Sequence, residues 1–154
     1  MIELIVAHDE HNCIGKQGKI PWHFREDFAR VKKLTENKTI IMGRKTWESL
    51  PKKPLPNRTN VIISSQKLEV PEGVLVYPSL EQALSEHKNE TMVGFGGEKI
   101  YEAILPHVNT IYLTVVHTTI PDGDAFFPKL NLDEWEEQDI EEKEEYTWKT
   151  LHRK

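Results

Sequence analysis

Apolar and polar positions alternate along this chain in two rhythms. Residues 2–7, 39–42, 60–64, 74–77, 91–95 and 110–117 are short apolar or alternating runs rich in Ile, Val and Thr, and they predict strands. Between them, residues 26–35, 45–50, 80–87 and 98–105 carry apolar positions at helical spacing. The start of the third helix reads as a capping box, with Ser79 as cap, Gln82 three residues on and Glu81 favoured by the helix dipole. The fourth is expected to stop before Pro106. Near the end, Trp135 and Ile140, then Tyr146, Trp148 and Thr150, suggest two strands joined by a charged turn at 141–145. Strands alternating with short helices require right-handed crossovers and a largely parallel sheet, and the last two strands must be antiparallel at one edge. The expected architecture is therefore α/β, a single domain around a mixed, mostly parallel sheet.

Composition narrows the class. A chain of 154 residues can bury one core, and 38% hydrophobic with 29% charged residues fits a globular protein. No apolar run approaches the ~20 residues that span a bilayer, and the opening MIELIVAH lacks the basic region of a signal peptide, so a cytoplasmic protein is expected. Cys13 is the sole cysteine and cannot form an internal disulfide. A net charge of −5 argues against a broad nucleic-acid surface. The cations are nevertheless uneven: Arg44, Lys45, Arg58 and Lys67 lie in the first half, where an anionic small molecule could use them. His8, His11 and Cys13 have no matched downstream pair, and no metal is expected.

One helix carries an acid out of place. In KIPWHFREDFARVKKLT (19–35), Phe24, Phe28, Val31 and Leu34 define one face, and at ~100° per residue Asp27 falls inside it while Glu26 points away with Ala29 and Lys33. From this stretch alone Asp27 reads either as a paired or helix-capping acid or as a functional one.

Three strand ends could receive a dinucleotide: IIMGRKT (40–46), VIISSQK (61–67) and MVGFGGEKIY (92–101). Gly96 and Gly97 would let the backbone approach a pyrophosphate at the start of a helix. Arg44 and Lys45, with Ser64, Ser65 and Lys67, place cations and hydroxyls where a free ribose would want an acid. A dinucleotide bound there would be the 2′-phosphorylated form; the spacing also fits a plain phosphate or sulfate site.

The combination of IG at 14–15, PW at 21–22, Asp27, IMGRKTWESL (41–50), PLPNR (54–58), FGG-x-x-IY (95–101) and GDAFFP (123–128) resembles the dihydrofolate reductase family of bacterial chromosomal type, and it covers essentially the whole chain in order. The resemblance implies a sheet of about eight strands flanked by four helices, with an adenosine-binding subregion at about 38–88 within the one domain. It further implies NADPH-dependent reduction of 7,8-dihydrofolate to 5,6,7,8-tetrahydrofolate by a monomer, with hydride going to C6 and a proton to N5, in the service of one-carbon metabolism and thymidylate synthesis.

Residue roles follow from the resemblance alone. Asp27, Trp22 and Thr114 match the catalytic group: Asp27 meets the pterin, Thr114 positions its carboxylate, and Trp22 lines the site and holds water. Ile5, Val6, Ala7, Ile20, Phe28 and Val31 would line the substrate slot. Ser49, Leu50, Leu55, Phe95 and Tyr101 would complete it, and Arg58 would clamp the α-carboxylate of the glutamate tail. For NADPH, Gly96, Gly97, Glu98, Lys99, Ile100 and Tyr101 would face the pyrophosphate from one side, with Gly43 and Thr46 opposite. Arg44, Lys45, Ser64, Ser65 and Gln66, beside Ile63, would take the 2′-phosphate and adenine. Ala7, Ile14, Gly15 and Phe95 would meet the nicotinamide end. The loop at 12–24 corresponds to a mobile lid, held closed through Gly123 and Asp124. Two other readings remain beside this one: a reductase of related fold acting on a ribosylated pyrimidine, and a catalytically silent NADP- or folate-binding module.

Overall fold

A computed structural model describes residues 1–16 and 22–154. Its centre is an eight-stranded sheet built from β1 (Ile2–His8), β3 (Thr39–Gly43), β4 (Thr59–Ile63), β5 (Leu75–Tyr77), β6 (Met92–Gly96), β7 (Thr110–Val116), β9 (Trp135–Glu142) and β10 (Tyr146–Arg153), in the order β5-β4-β3-β6-β1-β7-β10-β9. All pairs from β5 to β7 are parallel, and β7, β10 and β9 pair antiparallel. Four helices connect them: α1 (Arg25–Thr35), α2 (Arg44–Ser49), α3 (Leu80–Glu86) and α4 (Glu98–Ile104). A small second sheet pairs β2 (Cys13–Gly15) with β8 (Ala125–Phe126).

Period-two alternation divides the interior. Leu4, Val6, Ile41, Val61, Ile111 and Leu113 point to one face and pack with Leu80 and Ala83 of α3 and Ile100, Tyr101 and Ile104 of α4. Ile5, Ile40, Met42, Ile62 and Val93 point to the other, where Trp47 of α2 and Val31 and Leu34 of α1 cover them. The central strands are buried on both faces, which is why they read as nearly continuous apolar runs.

Ser79 accepts the Gln82 backbone N–H at 3.3 Å and so caps α3, as expected. α4 ends at Ile104, before Pro106 as expected, and a 3₁₀ turn over Leu105–His107, where the missing proline N–H is tolerated, follows it. Other boundaries differ from the sequence expectation, each for a local reason. β9 runs on to Glu142, so the turn shrinks to three residues, and a register shift opposite Trp148 and Thr150 with Asp139 at φ 50° leaves Ile140 exposed. The pair β2 and β8, three and two residues long, lies below the length at which periodicity is readable.

Candidate active site

Helix α1 buries only two residues, Asp27 and Thr35, and both are polar. Its apolar stripe is not closed over a core: Phe28 is 46% exposed, while Val31 and Leu34, like Leu50 and Leu55, are partly buried against the Ile5, Ile40 and Met42 side of the sheet. An apolar stripe left half open beside a buried carboxylate forms one wall of a slot. Ile5, Phe95 and Tyr112 lie on the same side of the sheet.

Asp27, 7% exposed, is held by two donors on its Oδ1: Thr114 Oγ1 at 2.7 Å and Trp148 Nε1 at 3.0 Å. Strand register explains why both reach it. Thr114 and Trp148 are directly opposed across β7 and β10, and Ala7 opposes Thr114 across β1, so these side chains emerge on the α1 face of the sheet. Among the described residues Oδ2 receives no hydrogen bond, and that oxygen is left for a ligand. The neighbouring Glu26 is used differently, accepting from Tyr146 Oη at 2.9 Å. Trp148 was read from sequence only as a strand residue; its link to Asp27 depends on a cross-strand register that spacing does not reveal.

The other end of α1 holds a cation. Arg58 Nη1 donates to Thr35 Oγ1 at 3.0 Å and Nε to the Pro56 carbonyl at 3.0 Å. Thr35 Oγ1 in turn donates to the Val31 carbonyl at 2.7 Å. Asn60 fixes the same loop, receiving Leu55 N–H at its side-chain oxygen and donating to the Leu55 and Arg58 carbonyls. Thr35 and Asn60 are thus supports that the sequence did not reveal as such. Asp27 and Thr35 lie eight positions apart, or ~12 Å along a helix axis at 1.5 Å per residue. A carboxylate on the first turn of α1 and a guanidinium bonded to its last residue therefore stand at the two ends of one helix.

Of the remaining slot residues, Val6 points to the α3/α4 face, and Ser49 turns its hydroxyl to the Thr46 carbonyl at 2.7 Å. Trp22 lines a recess of about 510 Å³ with Val116, His117 and Ile120, beside the end of β7. Ile20 lies outside the described residues, as does part of the 12–24 loop.

At the ends of β3, β4 and β6 the predicted anion-binding groups converge. Gly96 has φ +106°, and a Cβ there would stand 3.1 Å from the Tyr101 ring, so this position requires glycine. The Gly96–Gly97 peptide is cis, and Gly97 faces Thr46 across the gap at 3.6 Å from its Cβ position. Gly43 packs against Ile100 in the same way, at 3.4 Å. Arg44 Nη1 donates to Gln66 Oε1 at 2.9 Å, and the Gln66 N–H donates to Ser64 Oγ at 3.1 Å, tying the two strand ends together. Ser65, Lys45 and Lys99 are exposed, and Ile63 is partly buried below them. Glu48, one helical turn from Arg44, makes only an exposed 3.4 Å contact with it. A guanidinium, an ammonium and hydroxyls make a donor set suited to a phosphate monoester.

Tyr101 occupies the centre between these regions. Its hydroxyl lies 2.8 Å from the Ile5 carbonyl and 3.3 Å from that of Phe95, and burial pushes its pKa well above the ordinary phenol value, so it remains a donor. Below the lid position, Asp9 is fully buried and receives the N–H groups of His11, Cys13 and Ile120 at 2.7–2.8 Å. Burial alone would raise this carboxyl, but the donors from Ile120, Cys13 and His11 outweigh it and hold it below its ordinary value. The Asp124 N–H donates to the Gly15 carbonyl at 3.2 Å, and a Cβ at Gly123 would meet Cys13 Sγ at 2.2 Å. Glu98 accepts the Phe126 N–H at 2.8 Å, and Ile14 packs on the α3/α4 core. Among the described residues no group of three His, Cys, Asp or Glu could hold a metal ion.

Comparison with known proteins extends this picture. The family model described as dihydrofolate reductase matches residues 1–153. The dihydrofolate reductase of Buchnera aphidicola from Acyrthosiphon pisum is 42% identical over 154 residues, covering 99% of this chain and 87% of that protein. That of Neisseria meningitidis (strain Z2491) is 43% identical over 143 residues, covering 92% and 88%. The solved dihydrofolate reductase from Enterococcus faecalis, complexed with NADP(H) and RAB-propyl, superposes with a TM-score of 0.88 at 34% identity, covering 99% of this chain and 96% of that one.

Proposed function

Because the chain belongs to the dihydrofolate reductase family, whose activity is NADPH-dependent reduction of dihydrofolate, we propose that its reaction is run by Asp27 at one end of the α1 slot and Arg58 at the other. The observation that carries this reading is the buried Asp27 carboxylate, bonded twice at Oδ1 and at Oδ2 by no donor among the described residues, ~12 Å along α1 from the anchor of a fixed guanidinium. That spacing suits a ligand with an amidine-like ring at one end and a carboxylate at the other.

In this reading Asp27 accepts hydrogen bonds from N3 and the 2-amino group of the pterin and assists protonation of N5 through ring polarisation and ordered water. Thr114 fixes the carboxylate, and Trp22 lines the site and holds water near the ring. Ile5, Ala7, Phe28, Val31, Leu50, Leu55 and Phe95 exclude water from the slot, with Ser49 at its rim; Val6, which packs on the opposite face of the sheet, does not take part. Arg58 pairs with the glutamate α-carboxylate, a planar two-pronged task that lysine performs poorly.

When bound, NADPH supplies the hydride. The donor set at the strand ends fits it: Arg44, Lys45, Ser64, Ser65 and Gln66 hold the 2′-phosphate and adenine beside Ile63, while Gly43, Thr46 and Gly96 to Tyr101 hold the pyrophosphate. Ala7, Ile14, Gly15, Phe95 and Tyr101 orient the nicotinamide end. Residues 38–88, from β3 to α3, form the adenosine-binding subregion of the single domain. Gly123 and Asp124 couple the lid through Cys13 and Gly15. The protein works as a cytoplasmic monomer without a nucleic-acid partner, a reading supported by its net charge of −5.

A substrate series tests the slot directly. Consumption of NADPH is followed with dihydrofolate and with its analogue lacking the glutamate. The truncated compound should show a KM raised by about 10–100-fold, from the loss of one charge-assisted contact, with kcat less affected. Equal KM values would sink the two-ended slot, and turnover confined to a ribosylated pyrimidine would sink the substrate.

A further inference from the structure

We propose that Trp148 is a positioning residue for this reaction, its indole N–H pinning Oδ1 of Asp27 so that Oδ2 is the oxygen presented to the pterin. The inference rests on the reading of Asp27 as the substrate's acid. Thr114 and Trp148 both donate to Oδ1, at 2.7 and 3.0 Å. An ionised carboxylate offers about four acceptor sites over its two oxygens, so two donors on one oxygen leave the other wholly available. With two donors arriving from adjacent strands, rotation about the Cβ–Cγ bond would break both bonds, whereas Thr114 alone would permit rocking about one.

The indole is fixed independently of the acid. It belongs to neither apolar core cluster. Instead Arg30 Cζ stands 4.9 Å and Lys143 Nζ 5.3 Å from the ring centroid, and the Tyr146 ring lies 5.4 Å away. β10 sets its direction, because Trp148 is opposite Thr114 in the ladder. Phenylalanine would keep an aromatic face toward Arg30, Lys143 and Tyr146 while removing the N–H, together with the second ring. The charged and titratable groups facing this assembly are Arg30 and Glu26 from α1, Glu141 from β9, Lys143 from the turn, Tyr146 from β10 and Tyr112 from β7. Trp148→Phe alters none of them.

The test compares wild type and Trp148→Phe in steady-state turnover from acid to alkaline pH, with NADPH affinity measured on the same preparations. Loss of the donor should lower kcat/KM for dihydrofolate about tenfold while NADPH affinity changes less than about twofold. The midpoint of the pH–rate profile should move to higher pH, because a hydrogen bond favouring the ionised carboxylate has gone. A purely structural role would change amplitude and leave the midpoint in place, and that result would overturn the proposal. A second readout needs no folded variant at position 148: the Trp148 indole N–H resonance should exchange slowly in wild type and move in Asp27→Asn. A freely exchanging or unmoved resonance would overturn the proposal as well. Wild type inactive on dihydrofolate would remove the premise about Asp27 itself, whereas active wild type with an unmoved variant midpoint would defeat the Trp148 assignment alone.

Discussion

The Asp27 end of the molecule and the Arg44 end handle charge in opposite ways. Asp27 is buried and already bonded to two side chains from two strands. Arg44, Lys45, Ser65 and Gln66 stand in or near water, tied by one side-chain bond between Arg44 and Gln66. Burying a carboxylate is costly unless its hydrogen bonds are provided in advance. Cations awaiting a dianionic phosphate can stay hydrated until it arrives and lose little. The acid end is thus preorganised and should register in turnover, whereas the cationic end works by net attraction and should register in affinity and cofactor choice.

The sharpest way to break that contrast is Asp27→Asn. Removing a group that acts in proton transfer should lower turnover by about 10²–10⁴-fold, with NADPH affinity nearly intact. A matching loss of NADPH affinity would mean the two ends are not separable. Arg58→Lys should come next, raising KM for dihydrofolate by about 10–100-fold with a smaller change in kcat, because an ammonium cannot reproduce the two-pronged contact. Arg44→Ala should sharpen the picture at the other end. The ratio of efficiencies with NADPH and NADH should fall about tenfold, and comparable use of NADH by the wild type would show that these cations do not read a phosphate.

The smallest effect is expected below the lid. Asp9 has a carboxyl held below its ordinary value by three backbone donors. Its contribution to stability is fully present above the unfolded carboxyl value, near ~4, and is lost as pH falls through the lower folded value. Asp9→Asn should therefore destabilise the protein by about 1–3 kcal/mol at neutral pH, and the gap in Tm between the two should narrow in strongly acidic buffer. A constant gap across that range would mean the carboxylate charge contributes nothing.

Much of this organisation was legible before any coordinates. The order of strands and helices follows from apolar periodicity, and Asp27 declared itself by lying on the wrong face of its helix. Arg44, Ser64 and the Gly96–Gly97 pair were visible because strand ends in α/β sheets are marked by glycine and polar residues. What stayed hidden depends on register and distance. Trp148 could be recognised as a partner of Asp27 only once β10 was aligned with β7. Thr35 is a helix-terminal threonine until Arg58, 23 positions away, is found bonded to it. Periodicity marked the apolar stripe of α1 but is silent on whether a ligand or the protein covers it; only the family resemblance assigned Phe28 and Val31 to a slot. β2 and β8 form through contacts over a hundred positions apart, with almost no local signal.

The outermost strand has a consequence for the molecule among its neighbours. β9 reads WEEQDIEE, and all of it beyond Trp135 is exposed. An open strand edge is a template on which another chain's backbone could continue the sheet. Any incoming copy of this strand would bring rows of carboxylates to within ~5 Å of one another, the separation of paired strands, and the kink at Asp139 further spoils a straight docking line. The acids of β9 thus make its edge of the sheet a poor template for another copy of the same strand, while β5 bounds the sheet at the other side.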